Sequence, residues 1–211
     1  MIKPDTLRAA EAHLRARDAR MARLIDAYGP CTLGRTRRDP FHVLCNSIIS
    51  QQLSAKAADT IQARVAAATG AGKRFEPAHF TAAEHAQLRA CGLSNAKATW
   101  LRALADAAES GTLDFARLKK MDDEAAIEAL DALPGIGRWT AEMFLIFALD
   151  RLDIFAMGDV GLRNGLNRLH HGGEKLDDDA TRAITANWAP YRSVGSWYLW
   201  RVIDGDVAGW D

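Results

Sequence analysis

Leu133-Pro134-Gly135-Ile136-Gly137-Arg138-Trp139-Thr140-Ala141 is the stretch on which the reading of this chain turns. A proline and two glycines force a tight hairpin there, between two segments of helical pattern. A helix that restarts after the second glycine leaves several backbone N–H groups at its beginning unpaired and pointing outward. With the helix dipole behind them, they form a small anion site. Glycine suits the position because a side chain would block an approaching phosphate. A Gly-x-Gly in isolation is more often a plain helix–helix turn, so its weight comes from its surroundings.

About twenty residues on lies Asp153-Ile154-Phe155-Ala156-Met157-Gly158-Asp159-Val160-Gly161-Leu162-Arg163. An acidic residue here closes a non-helical apolar segment and opens a helix, the usual setting of an N-cap. A carboxylate held by helix N-terminal donors stays ionised, as a reaction that builds positive charge on a sugar requires.

The rest of the chain reads as helices. Asp5 and Thr6 can cap a first helix whose apolar residues Leu7, Leu14, Met21, Leu24, Ile25 and Tyr28 recur at helical spacing until Gly29-Pro30 stops it. A loop with Arg35, Arg37 and Arg38 follows. Pro40 then opens a helix through Ile49, and Ser54 caps another that runs to Gly70. Thr81-Ala82-Ala83-Glu84 has capping-box spacing, Gly92 ends the short helix after it, and Ser94 restarts the pattern. Trp100, Leu101, Leu104 and Ala105 share an apolar face; Phe115 to Leu133 predicts two more short helices. Strand-like alternation and solenoid repeats are both absent, so the expected fold is an all-α array.

Composition bounds the function. The 211 residues are 48% hydrophobic and 26% charged, and no apolar run approaches the roughly 18 residues of a membrane span. Met1 to Asp18 is charged and lacks a signal-peptide pattern, so the expected location is cytoplasmic, at the nucleoid if the source is bacterial. Cys31, Cys45 and Cys91 stand far apart, without metal-ligand spacing, and read as reduced core thiols. The 27 basic and 27 acidic residues cancel. A broad basic face is therefore not indicated, and any grip on nucleic acid must come from backbone N–H groups and a few placed side chains.

The two segments above, with Ser50-Gln51-Gln52-Leu53-Ser54, Gly92-Leu93-Ser94-Asn95-Ala96-Lys97 and Trp188 to Arg201, resemble the helix-hairpin-helix base-excision DNA glycosylases, in the 3-methyladenine DNA glycosylase II branch. The resemblance spans roughly Asp39 to Arg201. It is to the minimal form, since there is no room before Asp39 for the α/β domain that some members carry.

The resemblance implies two helical lobes, 41–141 and 1–40 with 142–211, flanking a DNA-binding cleft. Asp159 matches the catalytic aspartate. Backbone amides of Gly135 and Gly137 match phosphate-holding groups, and Gln52, Leu53, Ser54 and Arg138 join them on the DNA side, Leu53 as the wedge that fills the gap left by a flipped base. Carbonyls of Asp131, Leu133 and Ile136 match a site for a structural Na or K ion. Trp139 stands where glycosylase/lyase relatives carry the nucleophilic lysine, and the cysteines of the iron-sulfur branches are missing. The expected enzyme is thus monofunctional, using water on alkylated purines in duplex DNA, with no required cofactor, no iron-sulfur cluster and no membrane partner, as a monomer. Trp139, Met143 and Trp200 would form the base pocket, whose tryptophans can stack on a cationic purine. Met143 departs from the tyrosine of some relatives. Two alternatives stay open on the residues alone: a glycosylase for another damaged base, and a non-catalytic DNA-binding protein that uses only the hairpin.

Overall fold

The computed structural model describes residues 1–204. Among them there are thirteen helices and no strands: α1 (Pro4–Arg17), α2 (Ala19–Tyr28), α3 (Pro40–Ser50), α4 (Ala55–Thr69), α5 (Pro77–Thr81), α6 (His85–Ala90), α7 (Asn95–Glu109), α8 (Phe115–Leu118), α9 (Asp123–Asp131), α10 (Arg138–Phe147), α11 (Val160–His171), α12 (Asp178–Ala186) and α13 (Arg192–Asp204). The chain is all-α, as its pattern predicts. Among the described residues no helix is long and apolar enough to cross a membrane.

Two compact units divide the chain. One is Arg38–Phe144; the other joins Met1–Arg37 to the segment from Leu145 onward, the boundary falling inside α10. In the Arg38–Phe144 unit, α3 packs on α4 and α7, and α5 and α6 pack on α7. Phe41, Leu44, Ile48, Val65, Phe80, Leu88, Leu101 and Leu104 form its core. In the other unit α13 packs against α11, α2 and α1, with Leu14, Met21, Leu166, Trp188 and Tyr198 fully buried. Fully burying side chains of this size contributes about 1.5–3 kcal/mol each.

Three local expectations are corrected. The first helical pattern is two helices, because Asp18 leaves the helical region (φ −146, ψ 102) and its carboxylate accepts from the N–H groups of Arg20 and Met21, capping α2. Leu7, Leu14, Met21 and Ile25 are buried all the same, so the apolar period survives the break. The start of α1 is set by Pro4 at its first turn, with no side-chain cap. The capping box lies not at Thr81–Glu84 but at Glu76, whose side chain takes the His79 backbone N–H while its own backbone N–H donates to His79 Nδ1 at 2.9 Å; Thr81 closes α5. Histidine at the third helical position performs the part usually given to glutamate or glutamine, which hides the motif from a pattern search. Ser54 and Ser94 cap α4 and α7 as expected, and the three cysteines are buried thiols outside any disulfide.

Candidate functional site

The hairpin is built by α9 stopping and α10 starting within seven residues. Leu133 N–H closes on Leu130 and Ile136 N–H on Leu133, each through a carbonyl, before α10 begins at Arg138. Gly135 has φ +82, and a Cβ there would come within 2.5 Å of the Trp100 indole, so both backbone and packing require glycine. Gly137 has nothing within 4 Å of its Cβ position. Asp131, Leu133 and Ile136 line one hollow of 580 Å³ with Gln51, Gly135 and Gly137. The turn thus brings the three residues of the expected carbonyl set together. Among the described residues, no group of three or more His, Cys, Asp or Glu side chains is placed to hold a metal ion.

Two side chains tie this hairpin into its unit. Gln51 Nε2 donates to the Gly135 carbonyl at 2.8 Å. Lys97 Nζ donates to the carbonyls of Ile49 at 2.8 Å and Gln51 at 2.5 Å, at the C-terminal end of α3. Beyond Gln51 the chain turns at Gln52, which has φ 59, and exposes Leu53 before Ser54 caps α4. Leu53 is therefore no core leucine. Gln51 and Lys97 both lie in segments that carry the resemblance, but their contacts are not legible there; a lysine that caps carbonyls 46 and 48 residues away leaves no local pattern.

On α10 the expected residues separate by exposure. Trp139 is 44% exposed, an unusual state for tryptophan, whereas Met143 is buried. Glu142 is buried too, and its Oε1 accepts from Arg138 Nε at 3.2 Å. The other guanidinium nitrogens of Arg138 engage both oxygens of Glu124 on α9, at 2.5 and 2.7 Å. Arg138 thus joins the helices on either side of the hairpin, and a phosphate reaching it would displace Glu124.

In the other unit Asp159 is buried and caps α11, Oδ1 accepting from Leu162 N–H at 2.8 Å. A Cβ built on Gly161 would lie 3.1 Å from this same oxygen and 3.7 Å from Trp200 Cδ1. The carboxylate and the indole thus both border the bare face of Gly161. Trp200 is buried, with the Phe147 ring 5.5 Å away between centroids. The segment leading to Asp159 is stitched to the start of α13. Arg192 holds both oxygens of Asp153 at 2.7 and 2.9 Å, Ser193 N–H donates to the Leu152 carbonyl, and Ile154 N–H donates to Ser193 Oγ. One helix terminus thereby fixes the loop that carries Asp159, and the same helix supplies Trp200.

Beneath this lies a polar cluster. Asp18 Oδ2 accepts from Trp188 Nε1 at 2.9 Å and lies 3.0 Å from His170 Nε2. Burial alone would raise the Asp18 pKa, but the bonds from His170, Trp188 and Met21 outweigh it and bring it to about 2.

With this geometry in hand, the comparisons decide the family. Residues 45–190 match the model of the HhH-GPD superfamily base excision DNA repair proteins. The chain belongs to the HhH-GPD superfamily. Among HhH-GPD relatives, the DNA-3-methyladenine glycosylase 1 of Schizosaccharomyces pombe is 33% identical over 203 residues, covering 93% of this chain and 87% of that one. The crystal structure of a Bacillus halodurans DNA-3-methyladenine glycosidase matches with a TM-score of 0.84 at 38% identity, over 91% of this chain and 87% of the other. An S. pombe 3-methyladenine DNA glycosylase in complex with abasic DNA matches with a TM-score of 0.79 at 33% identity, over 92% and 95%.

Proposed function

We propose that this HhH-GPD protein is a monofunctional DNA glycosylase that hydrolyses the N-glycosidic bond of alkylated purines, of the 3-methyladenine and 7-methylguanine type, and leaves an abasic site. The observation that carries the reading is Asp159, a buried carboxylate held by a helix N-terminal amide beside Gly161 and Trp200. The substrate class and the abasic product are supported by its relatives, which are 3-methyladenine glycosylases, one of them in complex with abasic DNA.

The chemistry asks little of the enzyme. An alkylated purine is already a cationic leaving group, so the enzyme mainly has to stabilise an oxocarbenium-like sugar and align water. Asp159 does both in this proposal: its charge lies near the developing cation in a shielded site, where the electrostatic effect is largest. The damaged nucleotide is turned out of the stack, at a cost of a few kcal/mol that is lower for a lesion. Leu53 occupies the gap with Gln52 beside it on the DNA side, while the amides of Gly135 and Gly137 hold a phosphate and Ser54 and Arg138 flank them. Trp139, Met143 and Trp200 receive the base. Trp139 at the first turn of α10 offers a ring face and no amine, so no Schiff base forms and the strand stays intact.

Asp131, Leu133 and Ile136 line one hollow, and their carbonyls would hold a monovalent cation such as Na or K, which would add positive charge near the hairpin. No other cofactor or iron-sulfur cluster enters the mechanism. The expectation of two lobes serving one duplex, by a cytoplasmic monomer, belongs to the same proposal.

The test is release of free base from methylated duplex DNA, with strand breakage scored before and after alkali. Release of 3-methyladenine with strands that break only after alkali supports the reading. Breakage without alkali overturns the monofunctional assignment, and binding without release overturns the enzymatic one.

A further inference from the structure

Gly92-Leu93-Ser94-Asn95-Ala96-Lys97 has no part in the chemistry above, although it is one of the segments that carry the resemblance. Its place in the fold gives it one. Ser50, Gln51, Gln52 and Leu53 form a β-turn closed by Leu53 N–H on the Ser50 carbonyl at 3.1 Å. Gln51 has φ −49 and ψ 129, and Gln52 has φ 59. These are type II values, and type II favours glycine or asparagine at the position that glutamine holds here. Type I uses nearly the same ends with the central peptide rotated, and puts no left-handed residue at that position.

The rotated peptide is the one whose carbonyl belongs to Gln51, and that carbonyl is the one Lys97 Nζ holds at 2.5 Å. The same ammonium holds the Ile49 carbonyl at 2.8 Å, so it is anchored to the end of α3 while it grips the turn. One helical turn further along α7, Trp100 packs on Gly135, whose carbonyl accepts from the Gln51 side chain. One face of α7 thus touches both the turn and the hairpin.

We infer that Lys97 is a positioning residue for base flipping: it holds the Gln51–Gln52 peptide in the type II orientation, which sets the direction in which Gln52 and Leu53 are presented to DNA. The inference rests on the glycosylase reading. In a free loop, glutamine at this position would relax toward type I, and the two side chains would leave the chain along different directions. Lys97 touches no reacting atom; it acts through the turn.

The test is single-turnover base release at saturating enzyme from two DNAs, one with the lesion in a paired duplex and one with the same lesion opposite a gap, where extrusion costs least. Lys97→Met should slow release from the paired lesion about tenfold and from the unpaired lesion less than about twofold, the scale of a lost restraint on a sparsely populated backbone conformation. In a Gln52→Gly background, where glycine adopts the type II turn unaided, the same substitution should cost less than about twofold on either DNA. The ratio of release from the paired and the unpaired lesion is taken within one protein, so a general loss of active protein cancels in it. Should Lys97→Met fail to fold, Lys97→Gln, which keeps one donor, is read in the same way. Equal slowing on both DNAs, or an undiminished effect in the Gln52→Gly background, would overturn the assignment and leave Lys97 a brace of the fold. A wild-type protein that releases base from neither DNA overturns the glycosylase reading instead, and this inference with it.

Discussion

Gln51 and Gly135, 84 residues apart, are joined by one hydrogen bond from Nε2 to the carbonyl oxygen at 2.8 Å. The turn that exposes Leu53 and the glycine hairpin are therefore tied to one another. Gln51→Leu keeps the bulk and removes the donor. Loss of one such bond should lower stability by about 1 kcal/mol, and affinity for abasic duplex should fall with it, as thermal unfolding and a binding titration would show. Unchanged affinity would mean that turn and hairpin act independently.

The two hairpin glycines should respond differently to alanine. At Gly135 a methyl group meets Trp100 at 2.5 Å on a backbone with φ +82, so Gly135→Ala should destabilise the protein by about 2–4 kcal/mol. At Gly137 nothing lies within 4 Å. Gly137→Ala should leave the melting temperature unchanged and weaken DNA binding alone, because its methyl stands where the phosphate would approach. Calorimetry beside a binding titration separates the two.

Asp159→Asn is the sharpest test of the catalytic assignment. Asparagine caps helices as well as aspartate does, so the bond from Leu162 N–H survives and stability should hold within about 0.5 kcal/mol. Removing the charge should slow base release at least about a hundredfold, with duplex binding retained. An Asp159→Asn protein that still released base at the wild-type rate would remove Asp159 from the mechanism.

Trp139 and Trp200 differ in exposure, and so should the effects of truncating them. Trp139→Ala removes a ring that is 44% exposed; it should barely change stability while raising KM for the alkylated base. Trp200→Ala empties a buried position beside Phe147 and should cost about 3–5 kcal/mol as well as activity. Equal destabilisation by both would show Trp139 to be a packing residue.

Asp18 predicts an acid limb to stability. Its pKa is about 2 in the folded protein against an ordinary 3.8, so its contribution is complete above pH 4 and is lost as pH falls toward 2. Asp18→Asn should flatten that limb in urea unfolding measured between pH 5 and 2. At neutral pH it should cost about 2 kcal/mol, through weaker bonds to the buried Trp188 and to His170. An unchanged acid limb would place the acid sensitivity elsewhere.

Much of the architecture can be read from the chain because its signals are local. Serines 54 and 94 cap the helices that follow them, Gly135 and Gly137 mark the hairpin, and Asp159 caps α11. What escapes the sequence is what distance creates. Nothing near Lys97 says that it holds Gln51, and nothing near Asp18 says that its carboxylate meets Trp188, 170 residues away. The break between α1 and α2 is hidden for the opposite reason: the apolar spacing runs through it, because both helices bury the same face of the pattern. Glu142 reads in sequence as either a pocket group or a solvated helix residue, and its burial beside the Arg138 guanidinium comes from packing that no local pattern shows.

The span that matches the family model, residues 45–190, omits α1, α2 and α13. These are the helices against which α11 packs or on which its unit closes: Tyr198 on α13 donates to Glu11 on α1, and to the Gly29 carbonyl at the end of α2. A fragment trimmed to the matched residues would keep Asp159 in sequence while stripping α11 of its packing partners, Trp200 included. For expression or for grafting, the smallest working piece of this protein is therefore set by the contacts of α13 rather than by the reach of the family motif.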